Sequence, residues 1–308
     1  MKRLMMVAGV TIFTLAILST AFAGEAPKVR RSACKGSWYA AEREALEKQV
    51  DGFLESVTST AERQRIVGMI SPHAGYVYSG EIAAWGYRNL SGSSVRRVII
   101  LAPSHYVRFE GLSTPRVAFY ETPLGKVKVD TEACEYLLKK PLFRSIREAH
   151  DMEHALEMQL PFLQRTLGDF DLIPLVVGGL SEGDYERISH ELKAVQDVDT
   201  LVIASSDFTH FGPRFRYVPF VENLRENISR IDQGAIDLIL KKDWKGFLAY
   251  RDRTQATICG FRPIALLLET LPPDAKGRLL RYALSGDSTG DYSNSVSYAS
   301  IVFVRDDK

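Results

Sequence analysis

Short apolar runs that end in polar loops alternate along this chain with longer stretches whose apolar residues recur every three or four positions. Residues 66–70, 97–101, 171–177 and 200–204 are of the first kind and predict buried strands. Residues 40–54, with Leu46, Val50, Phe53 and Leu54 at helical spacing, predict a helix. The same reading gives helices at 79–90, 131–140, 183–196, 221–241, 243–251 and onward from Pro263. Residues 151–167 predict a helix that Pro161 kinks or restarts. Thr122-Pro123-Leu124-Gly125, between β-rich segments, predicts a hairpin over 111–129, and 278–284 and 296–304 predict closing strands. Strands alternate with helices, without repeat or linker. The expectation is a single-domain α/β/α sandwich around a mixed, mainly parallel sheet.

The first 23 residues stand apart. Lys2 and Arg3 precede the almost wholly apolar stretch 4–18, and Ala21-Phe22-Ala23 fits a small-x-small cleavage site. That is the layout of a secretory signal peptide, and it predicts export to a bacterial periplasm. The alternative is a membrane anchor formed by residues 4–23. Residues 24–33 are basic and polar and predict a flexible lead-in, leaving 34–308 as the domain.

The 308 residues carry 39 Lys and Arg against 38 Asp and Glu. Such a balance, without runs of like charge, argues against nucleic acid as a partner. Cys34, Cys134 and Cys259 are an odd set, so a monomer keeps at least one free thiol; Cys34 and Cys134 are the pair open to a disulfide.

Candidate chemistry sits at the strand ends. Strand 66–70 runs into Pro72-His73-Ala74-Gly75, strand 97–101 into Pro103-Ser104-His105, and strand 200–204 into Ser205-Ser206-Asp207-Phe208-Thr209-His210. A lone loop histidine is usually structural. Three at the ends of apolar strands favour one shared polar site on a sheet rim, and neutral imidazole is a common metal ligand. Cys259 precedes a helix, where a favoured thiolate would make a ligand or nucleophile; the alternative is a small buried hydrophobe. His150, Glu153, His154 and Glu157 fall within one quadrant of a helix and would line a pocket or form a solvated face. Asp207 is placed to orient an imidazole or to cap a helix. His190, among Glu186, Arg187 and Glu191, reads as a surface residue.

Five ordered motifs carry a resemblance. They are Ser71-Pro72-His73-Ala74-Gly75-Tyr76, Pro103-Ser104-His105, the run from Glu153 to Pro161, the run from Ser205 to Gly212, and Thr257-Ile258-Cys259-Gly260. Together they resemble the Memo family, whose bacterial branch is named AmmeMemoRadiSam system protein B, over about residues 30–305. The resemblance implies a fold like that of class III extradiol dioxygenases and a metal held by His73, His105 and Cys259. It implies Fe(II) first, with Cu or Zn as alternatives, and His210 as acid/base, with Asp207 and His154 as further catalytic candidates. Cys259 stands where those dioxygenases use a carboxylate, a softer ligand that changes the metal's electronics. The implied activity is a metal-dependent oxidoreductase acting on a small molecule, with AMMECR1-like and radical SAM proteins as functional partners. The alternatives are a metal- or redox-handling protein without turnover, and a peptide-binding module walled by Tyr76, Tyr78, Trp85 and Tyr106.

Overall fold

A computed structural model describes residues 28–58 and 64–306. The signal-peptide and anchor expectations for 1–23 lie outside the described residues. Among the described residues no helix is long and apolar enough to cross a membrane.

The chain opens with β1 (Val29–Arg30) and α1 (Arg43–Glu55), then β2 (Gln64–Ser71), α2 (Tyr76–Arg88) and β3 (Arg97–Pro103). A short β4 (Leu112–Ser113) precedes the hairpin of β5 (Phe119–Thr122) and β6 (Gly125–Val129). Next come α3 (Thr131–Leu138), β7 (Phe143–Arg144), α4 (Glu148–Asp151), α5 (His154–Glu157) and α6 (Leu160–Thr166). The second half runs β8 (Asp171–Val177), α7 (Asp184–Ala194), β9 (Thr200–Ser205) and β10 (His210–Phe211). Helices α8 (Leu224–Leu240), α9 (Trp244–Thr254) and α10 (Phe261–Thr270) lead to β11 (Lys276–Leu284), α11 (Ser285–Thr289) and β12 (Ser295–Asp306).

One mixed sheet organises the molecule, in the order β1-β5-β6-β8-β3-β9-β2-β12-β10, with β11 also on β12. Strands β6, β8, β3, β9 and β2 are parallel, whereas β12 runs antiparallel to β2. The central strands are buried almost end to end, because helices cover both faces and leave no solvated side to alternate with. The β2-α2-β3 crossover passes one way along the sheet and β8-α7-β9 the other. Right-handed connections therefore put α2 and α7 on opposite faces. Helices α1 and α6 pack with α2, while α9 joins α10 and α10 packs with α7. This is the mainly parallel α/β/α sandwich that the alternation predicts.

Two local expectations are corrected. Residues 28–33 are not a free lead-in: β1 pairs with β5, and Arg30 is buried. Its side chain reaches Glu157 and the carbonyls of His150 and Glu153, partners that local composition cannot reveal. Residues 151–167 do restart at Pro161, which stands in the first turn of α6, but they are not otherwise one helix. They break first at Glu153, whose backbone is extended (φ −69°, ψ 112°) and whose side chain caps α5.

The strand order fixes the site. Strands β3, β9 and β2 are adjacent and parallel, with Ser71 opposite Ser205 and Leu101 opposite Ala204. Their C-terminal ends lie on one rim, so the loops carrying His73, His105 and Asp207 emerge side by side.

Candidate metal centre

His73 leaves the end of β2 and is buried. Its amide donates to Asp207 Oδ1 at 2.8 Å, and its Nδ1 lies 2.9 Å from Ser205 Oγ. The Ser205 hydroxyl donates to Ala155 O at 2.7 Å and accepts from Gln159 Nε2 at 2.8 Å. With its one proton committed, Ser205 accepts from His73 Nδ1–H, so Nε2 keeps its lone pair. That nitrogen lies 3.2 Å from Cys259 Sγ. Burial first, then the neighbouring His105, His154 and His210, pushes the His73 pKa well below its ordinary value, so the ring is neutral and able to ligate.

His105 leaves the end of β3. Its amide donates to Glu153 Oε2 at 2.8 Å and its Nδ1 lies 2.8 Å from Glu153 Oε1. The carboxylate thus fixes ring and backbone together and leaves Nε2 free. Burial works against the Glu153 charge, but hydrogen bonding and charge at His105 prevail and hold its pKa down.

Cys259 precedes α10 and is half-buried. Its loop can approach β9 only because Gly260 has no side chain: a Cβ there would fall 2.5 Å from both Ser205 O and Ser206 Cβ. Gly260→Ala is accordingly expected to cost about 1–3 kcal/mol, the usual range for forcing an atom into packed space. Denaturant unfolding checks this, and an unchanged midpoint would show that the contact relaxes freely. Burial first, then Asp207, pushes the thiol pKa well above its ordinary value, against the thiolate that a helix N-terminus favours. A cation must therefore displace the thiol proton to gain the sulfur.

One ligand atom each from His73, His105 and Cys259 lies within 4.8 Å of the others. Zinc-sized ions bind nitrogen at about 2.0–2.1 Å and sulfur at about 2.3 Å, so one ion fits among the three after a small contraction. His105, Glu153 and His154 form a second such group. There, however, Glu153 Oε1 already takes the ring of His105 and the amide of Ala155, which casts it as an orienting partner.

His154 stacks on His105 at 4.4 Å and on Trp38 at 4.2 Å, with Nδ1 3.1 Å from Tyr106 Oη. Its pKa falls to about 4, through burial and then His105. His210 lies beside the centre and outside both donor groups. Its Nδ1 faces the carbonyls of Phe208 at 2.9 Å and Thr257 at 3.0 Å, so Nδ1 carries the proton and Nε2 is the basic atom. Thr257 Oγ1 accepts from the His210 amide at 2.9 Å and donates to its carbonyl at 2.7 Å.

Several sequence expectations are corrected here. Asp207 holds backbone rather than an imidazole ring: its carboxylate turns back to the end of β2 and accepts from the amides of His73 and Ala74. Glu157 neither lines a pocket nor forms a solvated face; it is buried against Arg30. His150 points away from the centre, between Tyr120 Oη at 2.8 Å and Ser113 Oγ at 3.0 Å, because the break at Glu153 puts it on a different helix from His154. Cys34 and Cys134 are free and buried; Cys134 accepts a hydrogen bond from Thr114 while Cys34 lies beside Glu157. Of the four aromatic residues, Tyr106 contacts His105 and His154, whereas Tyr76 is core and donates to Met158 O. Sequence reasoning missed Trp38, Ser205, Gln159 and Thr257. The last three lie inside the motifs that carry the resemblance, whereas Trp38 lies outside them.

Comparison with known proteins adds the kinship. The Memo family, described as Memo-like protein, matches residues 30–302. Protein MEMO1 of Homo sapiens is 34% identical over 285 residues, covering 88% of this chain and 95% of the relative. Protein memo-1 homolog of Caenorhabditis elegans is 33% identical over 293 residues, covering 90% and 83%. Among solved structures, the uncharacterized protein JW3007 of Escherichia coli K12 aligns with a TM-score of 0.46 and 11% identity, over 77% of this chain and 99% of its own.

Proposed function

The chain belongs to the Memo family, and on that premise we propose that it binds a redox-capable metal through His73, His105 and Cys259 and acts as a non-haem oxidoreductase of extradiol type. The observation that carries this reading is the convergence of three donors, with both imidazoles held by Nδ1 so that Nε2 is offered. Fe(II) is the first candidate and copper the second. When bound, such an ion supplies Lewis acidity and one-electron chemistry at a site whose three protein ligands leave positions open. Ser205 and Glu153 hold the ligand rings, and Asp207 fixes the His73 loop. His210 Nε2 is free to take a proton from a hydroxyl of the bound substrate. Trp38, His154 and Tyr106 form one aromatic wall.

Elemental analysis of protein purified without oxygen tests the metal. Stoichiometric iron or copper is expected in the natural protein, and near-background metal in His73→Ala and Cys259→Ala. Equal metal in the natural protein and both variants would remove the site. Oxygen uptake with catechols then separates turnover from storage. The second reading, metal or redox handling without turnover, is favoured by the thiol ligand, since a thiolate suits copper(I) or zinc better than a carboxylate does. Metal binding without oxygen uptake would select it.

A further inference from the structure

A cavity of about 360 Å³ reaches Cys259, and Arg108 and Arg262 line it. Its walls are the exit of β3 at Pro103 and Val107, the Gly178-Gly179 turn after β8, and the first turn of α10. Arg108 is exposed and Arg262 half-buried. Among the described residues neither guanidinium has a carboxylate within ion-pair distance. Arg262 lies 4.5 Å from the ring of Phe261, and a guanidinium stacked in this way keeps its N–H edge for another partner. Glu110 is the single acid in the lining, and its carboxylate is packed over Gly179. Two cations against one acid leave the cavity net positive beside the candidate metal ligand.

We propose that this cavity holds the carboxylate of the substrate, so that the substrate is a small carboxylic acid whose other end reaches the centre past Cys259. This deepens the metal-centre reading and rests on it. The volume lies at the small end of ligand pockets, which suits a molecule of one ring or a short chain. The guanidinium fork matches the two oxygens of a carboxylate in geometry as well as charge.

Benzoate and its neutral analogue benzamide are the probes, titrated against the metal-loaded protein by calorimetry. Benzoate is expected to bind at least about tenfold tighter than benzamide. Arg108→Gln and Arg262→Gln are each expected to weaken benzoate about tenfold, as loss of a charge-assisted hydrogen bond does, while benzamide binding and metal content stay unchanged. Arg262→Lys should retain part of the preference. Equal binding of the two probes, or a benzoate preference that survives in the double variant, overturns the proposal. Tighter binding of inorganic phosphate than of benzoate overturns the carboxylate assignment. If the natural protein proves metal-free yet binds benzoate through both arginines, the metal reading fails and the cavity assignment stands.

Discussion

His210→Ala is expected to leave metal content nearly unchanged while lowering substrate-dependent oxygen uptake by about 10²–10⁴-fold, the usual share of general acid–base catalysis. The geometry sets both halves of this result. His210 is not among the three clustered donors, so its loss leaves the metal its ligands. Its Nδ1 is spent on the Phe208 and Thr257 carbonyls, so the remaining nitrogen is the basic one. A variant that loses metal as thoroughly as His73→Ala makes His210 a ligand. One that changes neither metal nor uptake removes His210 from the chemistry and favours the storage reading.

Glu157→Ala is expected to destabilise the fold by about 3–5 kcal/mol, the range for breaking one side of a buried ion pair. Glu157 is fully buried and meets the Arg30 guanidinium, which is almost as buried. It also accepts from Ser32 Oγ at 2.7 Å, Ala33 N at 2.9 Å, Cys34 N at 3.0 Å, and the Tyr39 hydroxyl. Alanine would leave Arg30 charged and unmatched in the interior. Denaturant unfolding measures the loss, and a variant within about 1 kcal/mol of the parent, the worth of an exposed pair, would show that water replaces the carboxylate. The pH dependence follows from the same contacts. Burial opposes the Glu157 charge, yet Arg30 and the donors from Tyr39, Ala33 and Ser32 outweigh it and hold its pKa below the ordinary carboxylate value. Its stabilisation is therefore complete above that ordinary value, near about 4.3, and is lost as the pH falls through the lower folded-state value. The difference in stability between parent and variant should shrink on acidification.

The parts of the site legible in the sequence are those set by strand ends. Runs 66–70, 97–101 and 200–204 are apolar enough to be central strands, and neighbouring parallel strands necessarily present their following loops together. Sequence spacing failed where a distant partner decides the conformation. The stretch from His150 to Glu157 has helical spacing, but Glu153 leaves the helix to bind His105, 48 residues away. Arg30 and Trp38 sit in a segment whose composition suggests solvent exposure; their partners Glu157 and His154 lie far along the chain. The thiol of Cys259 follows the same rule, since its helix terminus favours a thiolate and the surrounding burial prevails.

His73 and Cys259, whose side chains meet, are 186 residues apart in the chain. No fragment much shorter than the domain can therefore assemble the trio, and an unfolded chain offers its donors only singly. A ligand that needs all three recognises the completed fold alone. By mass action its binding free energy is then added to the stability of the whole domain, so that such a ligand would act as a late seal on folding as well as an occupant of the site.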